Sequence, residues 1–516
     1  MCGWRAHTFI IVHRQNRPKL AGVGYVPSPL PLTSARPVES VPAAPPTRKL
    51  YHVGTLTYTK GALVQVIFWM LCGAFFFQLL ESLTPALIPL QLRWEGASDT
   101  MIGLLASPTN LLAFFIYPII GMQSDHHRGR LGRRRPFLVW CTPPAILCLV
   151  LLGSAQPAGA YLHWIVRALH VGSGFTVAGC TIAWISLCSI VFVVFNAYIN
   201  QIYQYMFVDV IPQEVMGKFI GLYRVVGAIG SIVFNRFVLG QAKAHTFGVY
   251  LGTGLLFASA IYLIVWRVKE GDYRPLPPRQ TGHRLATIKR YFKECYTHPF
   301  YLTFYSLSFF IWGSLVPLSF VVFFATEAGR PGYAATLGLS LEEFGHVKGW
   351  TFLIQIPVFF LVGPISDRFH PMRVSLVGLF LISVSYFSCY WLIHGATSLL
   401  VCWSINQAML AIYLGAGATL TPRLLPREQY GQFVSANQAF GYMSLIIGPP
   451  ICGLLLGWVR DYRYVFIFCG ICTTMTFVML VALYVQWKKL GGDLHFTPPD
   501  MSQAAREARA AKLKTS

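Results

Sequence analysis

Gly121 to Phe137 reads GMQSDHHRGRLGRRRPF. A long apolar run ends at Gly121, one carboxylate stands at Asp125, and Arg128, Arg130, Arg133, Arg134 and Arg135 follow before Pro136 opens the next apolar run. A knot of charge between two greasy segments is a short loop at a membrane surface, because charged groups are costly in hydrocarbon and collect just outside it. A shortened echo, GPISDRFHPMR, stands at Gly363 to Arg373, 242 residues downstream. Two such joints imply one membrane bundle built twice.

Composition points the same way. Of 516 residues, 55% are hydrophobic and only 12% are charged, too few to coat a soluble surface of this size. A spanning helix takes roughly 20 apolar residues, and about twelve such segments can be found with that ruler. They run at Ala62 to Leu83, Thr100 to Met122, Phe137 to Ser154, Thr181 to Val208, Phe219 to Val238 and Phe247 to Val268. The second set runs at Tyr301 to Ala325, Gly345 to Ile365, Val374 to Ile393, Ser398 to Leu420, Phe433 to Val459 and Tyr464 to Trp487. Pro85 and Pro89 are expected to bend or end the first span, since proline removes a helix donor and crowds the preceding turn. The mixed segment Tyr161 to Arg167 is expected on the outer surface.

The expected organisation is an N-terminal tail over 1–60, a six-helix bundle over 61–268, a linker over 269–299, a second bundle over 300–487 and a tail over 488–516. The tail at the start is rich in Pro, Arg and Ser and reads as disordered. Its run FIIV at Phe9 is too short for a signal peptide. Within the linker, Leu285, Ile288, Phe292 and Cys295 fall at helical spacing, as in a helix lying on the membrane surface.

A net charge of +22 would suggest nucleic acid in a soluble chain, but its placement excludes that. Basic residues gather in alternate loops: the arginine knot, eight Lys/Arg between Arg267 and Lys293, Arg368 with Arg373, and Arg423 with Arg427. The positive-inside rule puts those loops and both termini on the cytoplasmic side, with the cell membrane as the expected location. The twelve cysteines are scattered, mostly within apolar runs, and Cys469 and Cys472 lack acidic or His neighbours. Neither a disulfide framework nor a metal site is expected.

A second internal match supports duplication. DVIPQEVMGKF at Asp209 to Phe219 resembles RLLPREQYGQF at Arg423 to Phe433, with Pro212/Pro426, Glu214/Glu428, Gly217/Gly431 and Phe219/Phe433 all offset by 214. Two matches in the same order make a parallel repeat of six helices.

Six spans, a basic linker and six more, with SD and GRLGRRRPF after the second span, resemble the major facilitator superfamily. The string Ser124-Asp125 with Gly129 to Phe137, and LTP at Leu83 to Pro85, are similar to those of sucrose–proton symporters and the glycoside–pentoside–hexuronide cation symporters. The resemblance implies an all-α fold of twelve transmembrane helices in two pseudo-symmetric bundles, and secondary active transport of a sugar or glycoside by alternating access. It also departs from those groups. Sucrose symporters carry an arginine late in the fourth span, five residues before an aspartate, where this chain has Gln204 before Asp209. Melibiose-type relatives carry acids inside their second and fourth spans, and here Asp125 and Asp209 stand at span ends.

Several residues are candidates for the chemistry of transport. Asp125 with Arg130, Arg133, Arg134 and Arg135, and Asp367 with Arg368 in the second half, could form ion pairs that close a cytoplasmic gate. Topology determination through lipid headgroups explains the same arginines. Glu81 lies mid-span, where an acid that loads and releases a proton suits coupling. A structural hydrogen bond to Gln78 or Ser82 is the alternative. Asn196, Asn200 and Gln204 stand at i, i+4 and i+8, one polar stripe on an apolar helix. With Gln78, Arg224, Gln355, Asn406, Asn437 and Gln438 they could line a cavity for a neutral, hydroxyl-rich solute, or could be interhelical hydrogen bonds. His298, His346 and His394 lie too near span ends to be relay groups. No P-loop appears and no cluster of His, Asp or Cys suggests an enzyme. The expected partners are a small-molecule substrate, the proton and the lipid bilayer, with no cofactor, no metal, no nucleic acid and a monomer as the working unit.

Overall fold

The structure, a computed structural model, describes residues 50–516 except 128, 130, 171–174, 272–290, 328–332, 335, 427–429, 493–495 and 500–516. Among the described residues, twelve helices are long and apolar enough to cross a membrane. The protein is an integral, multi-pass membrane protein.

A small hairpin, β1 (Tyr51–Val53) and β2 (Leu56–Tyr58), turns at Gly54 with φ +54 and leads into α1 (Lys60–Trp94). α1 continues through Pro85 and Pro89, so the expectation that the span ends near Leu83 is corrected. In hydrocarbon a helix that stopped there would leave its last carbonyls bare, a larger penalty than the single bond each proline removes. α2 (Asp99–His126) starts on the side chain of Ser98, α3 (Arg135–Gly153) on Pro136, and α5 (Val177–Val210) on Thr176. Between them the short α4 (Ala155–Ala168) covers the segment assigned to the surface, with Tyr161 and Trp164 exposed.

α6 (Gln213–Val233) ends in a π-helical turn, Phe234–Val238, and α7 (Thr246–Arg267) closes the first set. The second set is α8 (Pro299–Leu315), a 3-10 turn over Val316–Phe320, α9 (Val321–Thr326), α10 (Leu341–Phe369), α11 (Pro371–Leu392), α12 (Ala396–Leu424), α13 (Tyr430–Val459) and α14 (Tyr464–Lys489). α8 and α9 together make one span.

In the first set α3 packs on α5 and α7, α1 on α6 and α7, and α2 on α5. In the second set α14 packs on α8 and α11, α12 on α10 and α11, and α13 on α8. Two seams join the sets: α2 against α13, and α6 with its π turn against α10. Both seams depend on glycine. A Cβ at Gly103 would strike the Pro449 carbonyl, one at Gly453 the Asp99 carbonyl, and one at Gly345 the Asn235 carbonyl. Backbones that approach this closely let membrane helices pack by van der Waals contact, the attraction left when lipid is as apolar as the side chains. Along the first seam, Ser107 Oγ donates to the Ile446 carbonyl at 2.7 Å and Asn110 Nδ2 to the Leu445 carbonyl at 2.9 Å.

Candidate functional site

The bundle has two ends, one holding the start of α2 at Asp99 and the other the start of α3 at Arg135. At the Asp99 end the two helix sets are tied by charge. Arg93, in the last turn of α1, pairs with Asp99 and stands 2.8 Å from Glu327 of the second set. The Asp99 side chain is fully buried and takes hydrogen bonds from the hydroxyls of Tyr333, at 2.5 Å, and Tyr462, at 2.9 Å. The Tyr462 hydroxyl also reaches Glu327 at 3.2 Å, and the Arg93 guanidinium lies 4.5 Å from the centre of the Phe323 ring. One cation, two carboxylates and two phenols from both sets thus form a single closed network. Reading along the chain does not reveal it, since these residues are scattered from 93 to 462.

The middle of the bundle holds the acid singled out from sequence. Glu81 Oε1 accepts from Asn196 Nδ2 at 2.9 Å, which places the first member of the polar stripe of α5 on α1. Asn196 Oδ1 is buried without a partner among the described residues. Beside them Ser82 donates to the Gln78 carbonyl and lies 3.1 Å from Ser231, while Gln78 packs against Gly227. Glu81 is close enough to interact electrostatically with Tyr117 of α2, Tyr223 of α6 and Tyr442 of α13. Tyr117 and Tyr442 stack across the first seam with ring centres 5.2 Å apart. Across the second seam, Arg224 lies 5.2 Å from the centre of the Phe359 ring.

Other expected cavity residues find partners of their own. Gln204 Nε2 donates to Asn200 Oδ1 at 2.7 Å, and Gln204 is exposed. Gln355 Nε2 donates to Gln407 Oε1 at 2.8 Å within the second set. Asn406 is buried against Cys389 Sγ, Asn437 accepts from Ser308, and Gln438 is exposed. The structure therefore gathers Glu81, Asn196 and Gln78 and leaves Gln355, Asn406 and Asn437 in pairings inside the second set. It also shows a contact that position in the chain obscured: Arg236, in the π turn, reaches Nε2 of His346 across the second seam. A π turn displaces side chains from the regular helical register, and it does so here beside this contact.

At the Arg133 end, Arg133, Arg134 and Arg135 find partners within the first set. Arg133 Nη2 lies 3.0 Å from both Asp209 oxygens, and Arg134 Nε lies 3.1 Å from Asp209 Oδ2. Arg134 also reaches Ser124 and stacks 4.7 Å over Tyr205, and Arg135 reaches the Val265 carbonyl. Glu270, just beyond α7, takes the backbone N–H groups of Arg133, Arg134 and Arg135 at 2.7–3.0 Å. A carboxylate there meets both the unpaired amides and the positive end of the α3 dipole. Arg130 lies outside the described residues, as do the side chains of Asp125 and Asp367, and Arg368 is exposed over Phe369. No group of three or more His, Cys, Asp or Glu that could hold a metal ion occurs among the described residues.

The sequence model of the Major Facilitator Superfamily matches residues 318–512 of the chain. No curated protein matches. Among solved structures the chain is similar to the nucleoside transporter NupG, at 12% identity and TM-score 0.59 over 82% of this chain and 99% of that one. It is similar to a D-xylose-proton symporter at 13% identity and TM-score 0.57, over 85% of this chain and 99% of that one. It is also similar to a bacterial homologue of the iron transporter ferroportin at 11% identity and TM-score 0.58, over 82% and 99%. The architecture is the major facilitator fold.

Proposed function

We propose that the chain is a secondary active transporter that carries a small polar solute across the membrane by alternating access, with Glu81 as the proton-coupling group. The observation that carries the reading is the carboxylate of Glu81, held mid-bundle on Asn196 and within electrostatic reach of tyrosines from three helices that belong to both sets. An acid in hydrocarbon is expensive and marks an ion or substrate path by default. A single such acid suits a proton better than a metal cation, which needs several oxygen ligands.

The chemistry follows from one hydrogen bond. Ionised Glu81 accepts from the Asn196 amide; protonated Glu81 becomes a donor, and the buried Asn196 Oδ1 is available to receive it if the amide turns over. Proton loading thereby changes the pairing between α1 and α5, which both border the middle of the bundle. The resemblance of the arginine knot to that of sugar symporters, and the fold shared with a D-xylose-proton symporter, favour a sugar or glycoside as the solute. The knot is taken to be cytoplasmic by its charge.

Replacing Glu81 with Gln tests the reading. Reconstituted in vesicles under an imposed pH gradient, the variant should lose accumulation against a gradient and keep solute exchange. Accumulation at the unmodified rate would remove Glu81 as the coupling site.

A further inference from the structure

Lys348 stands two turns into α10 and takes part in no ion pair or hydrogen bond of its side chain among the described residues. Its direction follows from helix geometry. Trp350, Leu353, Phe360 and Leu361 are exposed by 46–62% and mark the lipid side of α10. At roughly 100° per residue, Lys348 projects opposite that side, towards the middle of the bundle. The neighbours that share its inward face agree. Gln355 is buried on Gln407, and Phe359 meets Arg224 from the other set.

Charge makes the position unusual. The Lys348 side chain is partly buried, and an ammonium group so placed calls for water or an anion beside it. The nearest acids along the chain, Glu342 and Glu343, are exposed in the first turn of α10; Glu343 closes the capping box with Ser340, and Glu342 lies 3.7 Å from His346. Arg224, further down the same seam, adds a second cation, which lies over the Phe359 ring. Arg236 adds a third, donating to His346. Against these the middle of the bundle offers Glu81, already held by Asn196. A pathway with this balance raises the local concentration of anions.

We propose that Lys348 is an anion-recognition point of the transport path, so that the solute carries a carboxylate or a phosphate in addition to its hydroxyl groups. The inference rests on the transporter reading and narrows it, from a neutral sugar to a sugar acid or sugar phosphate. Arg224 extends the same positive seam and is placed to receive the anion as it moves along.

Matched probes test this: glucose, glucuronate and glucose 6-phosphate, added to the purified full-length protein and read by thermal shift. Glucuronate or glucose 6-phosphate, whichever the site takes, should stabilise the protein where glucose does not, and inorganic phosphate should compete. Lys348→Gln should weaken that response at least tenfold and Lys348→Arg should retain it. Should Lys348→Gln fail to fold, phosphate competition on the unmodified protein and the Lys348→Arg response still decide. A response to glucose equal to that of the acids, an acid response that survives Lys348→Gln, or no response to either acid overturns the inference. Counterflow in vesicles separates it from the reading beneath. Flux of the acids indifferent to Lys348→Gln leaves transport standing and removes the anion site, whereas no carrier-dependent flux of any probe removes the transporter itself.

Discussion

The two ends of the bundle both carry arginines on carboxylates, yet they differ in what they join. At the Asp99 end, Arg93 and Asp99 of the first helix set meet Glu327, Tyr333 and Tyr462 of the second. At the Arg133 end, Arg133 and Arg134 bind Asp209, and Glu270 caps the start of α3, all inside the first set. Charge of the same kind therefore does two jobs. Where it crosses between sets it opposes their separation, and where it stays within a set it travels with that set as a rigid piece. The structure is closed at the Asp99 end by polar bonds that a rocking motion would have to break.

The largest effect should come from the crossing network. Asp99 is wholly buried and accepts from two phenols of the second set, so Asp99→Asn weakens two charged hydrogen bonds that cross between the sets, while the Arg93–Asp99 pair it also breaks lies inside the first. A hydrogen bond to a charged group is worth ~1.5–3 kcal/mol, so two of them together can move an equilibrium between closed and open by about a hundredfold or more. Spin labels on the two sets at the Asp99 end, read by pulsed dipolar spectroscopy, should report a longer separation in the variant. An unchanged distance distribution would mean that the glycine-lined seams, and not the network, hold this end shut.

A smaller change, and of another kind, is expected from Asp209→Asn. Arg134 keeps Ser124 and Tyr205 as neighbours, so a stability loss of about 1–3 kcal/mol follows from the weakened charged hydrogen bonds. The melting temperature should fall while the label distance at the Asp99 end stays as it was. A shift in that distance would show that the Arg133 end also bridges the sets, and the contrast drawn above would fail.

What sequence could reveal tracks how local each signal is. Apolar runs located all twelve spans, eleven of them to within six residues at each end, because hydrocarbon thickness imposes a length, while the first span runs on to Trp94, past its expected end at Leu83. The arginine knot and Glu81 stood out for the same reason, as charge where charge is costly. The Asp99-end network did not, because Arg93, Asp99, Glu327 and Tyr462 each sit beside span ends, where a charged or phenolic residue is ordinary. Only the packing of α1 and α2 against the loop after α9 and the start of α14 makes them one unit. Asp209 was read as a mere span-end acid and proves to be the partner of the knot, since α5 brings its last turn beside α3. Likewise Pro85 and Pro89 looked like terminators because local rules for proline were written for helices in water, where bare carbonyls find solvent.

The smallest effect should come from Glu270. Its oxygens accept from three successive backbone amides at the start of α3, and Glu270→Gln keeps an acceptor there while removing the charge. A carboxylate at a helix N-terminus is favoured by ~0.3–1 kcal/mol over a neutral group, so the loss should be about 1 kcal/mol by the same measure. Glu270 follows α7 and touches α3, both within the first set, so neither the label distance at the Asp99 end nor the transport rate should respond. Hydrogen exchange at the amides of residues 133–135 should quicken in the variant, since the amide side chain accepts through one oxygen where the carboxylate used two. Protection of those amides at the original level would show that the arginine side chains, through Asp209, fix the start of α3 without help from Glu270. A changed transport rate would show that the segment leaving α7 couples the first set to the second, and would extend the crossing role to this end of the bundle.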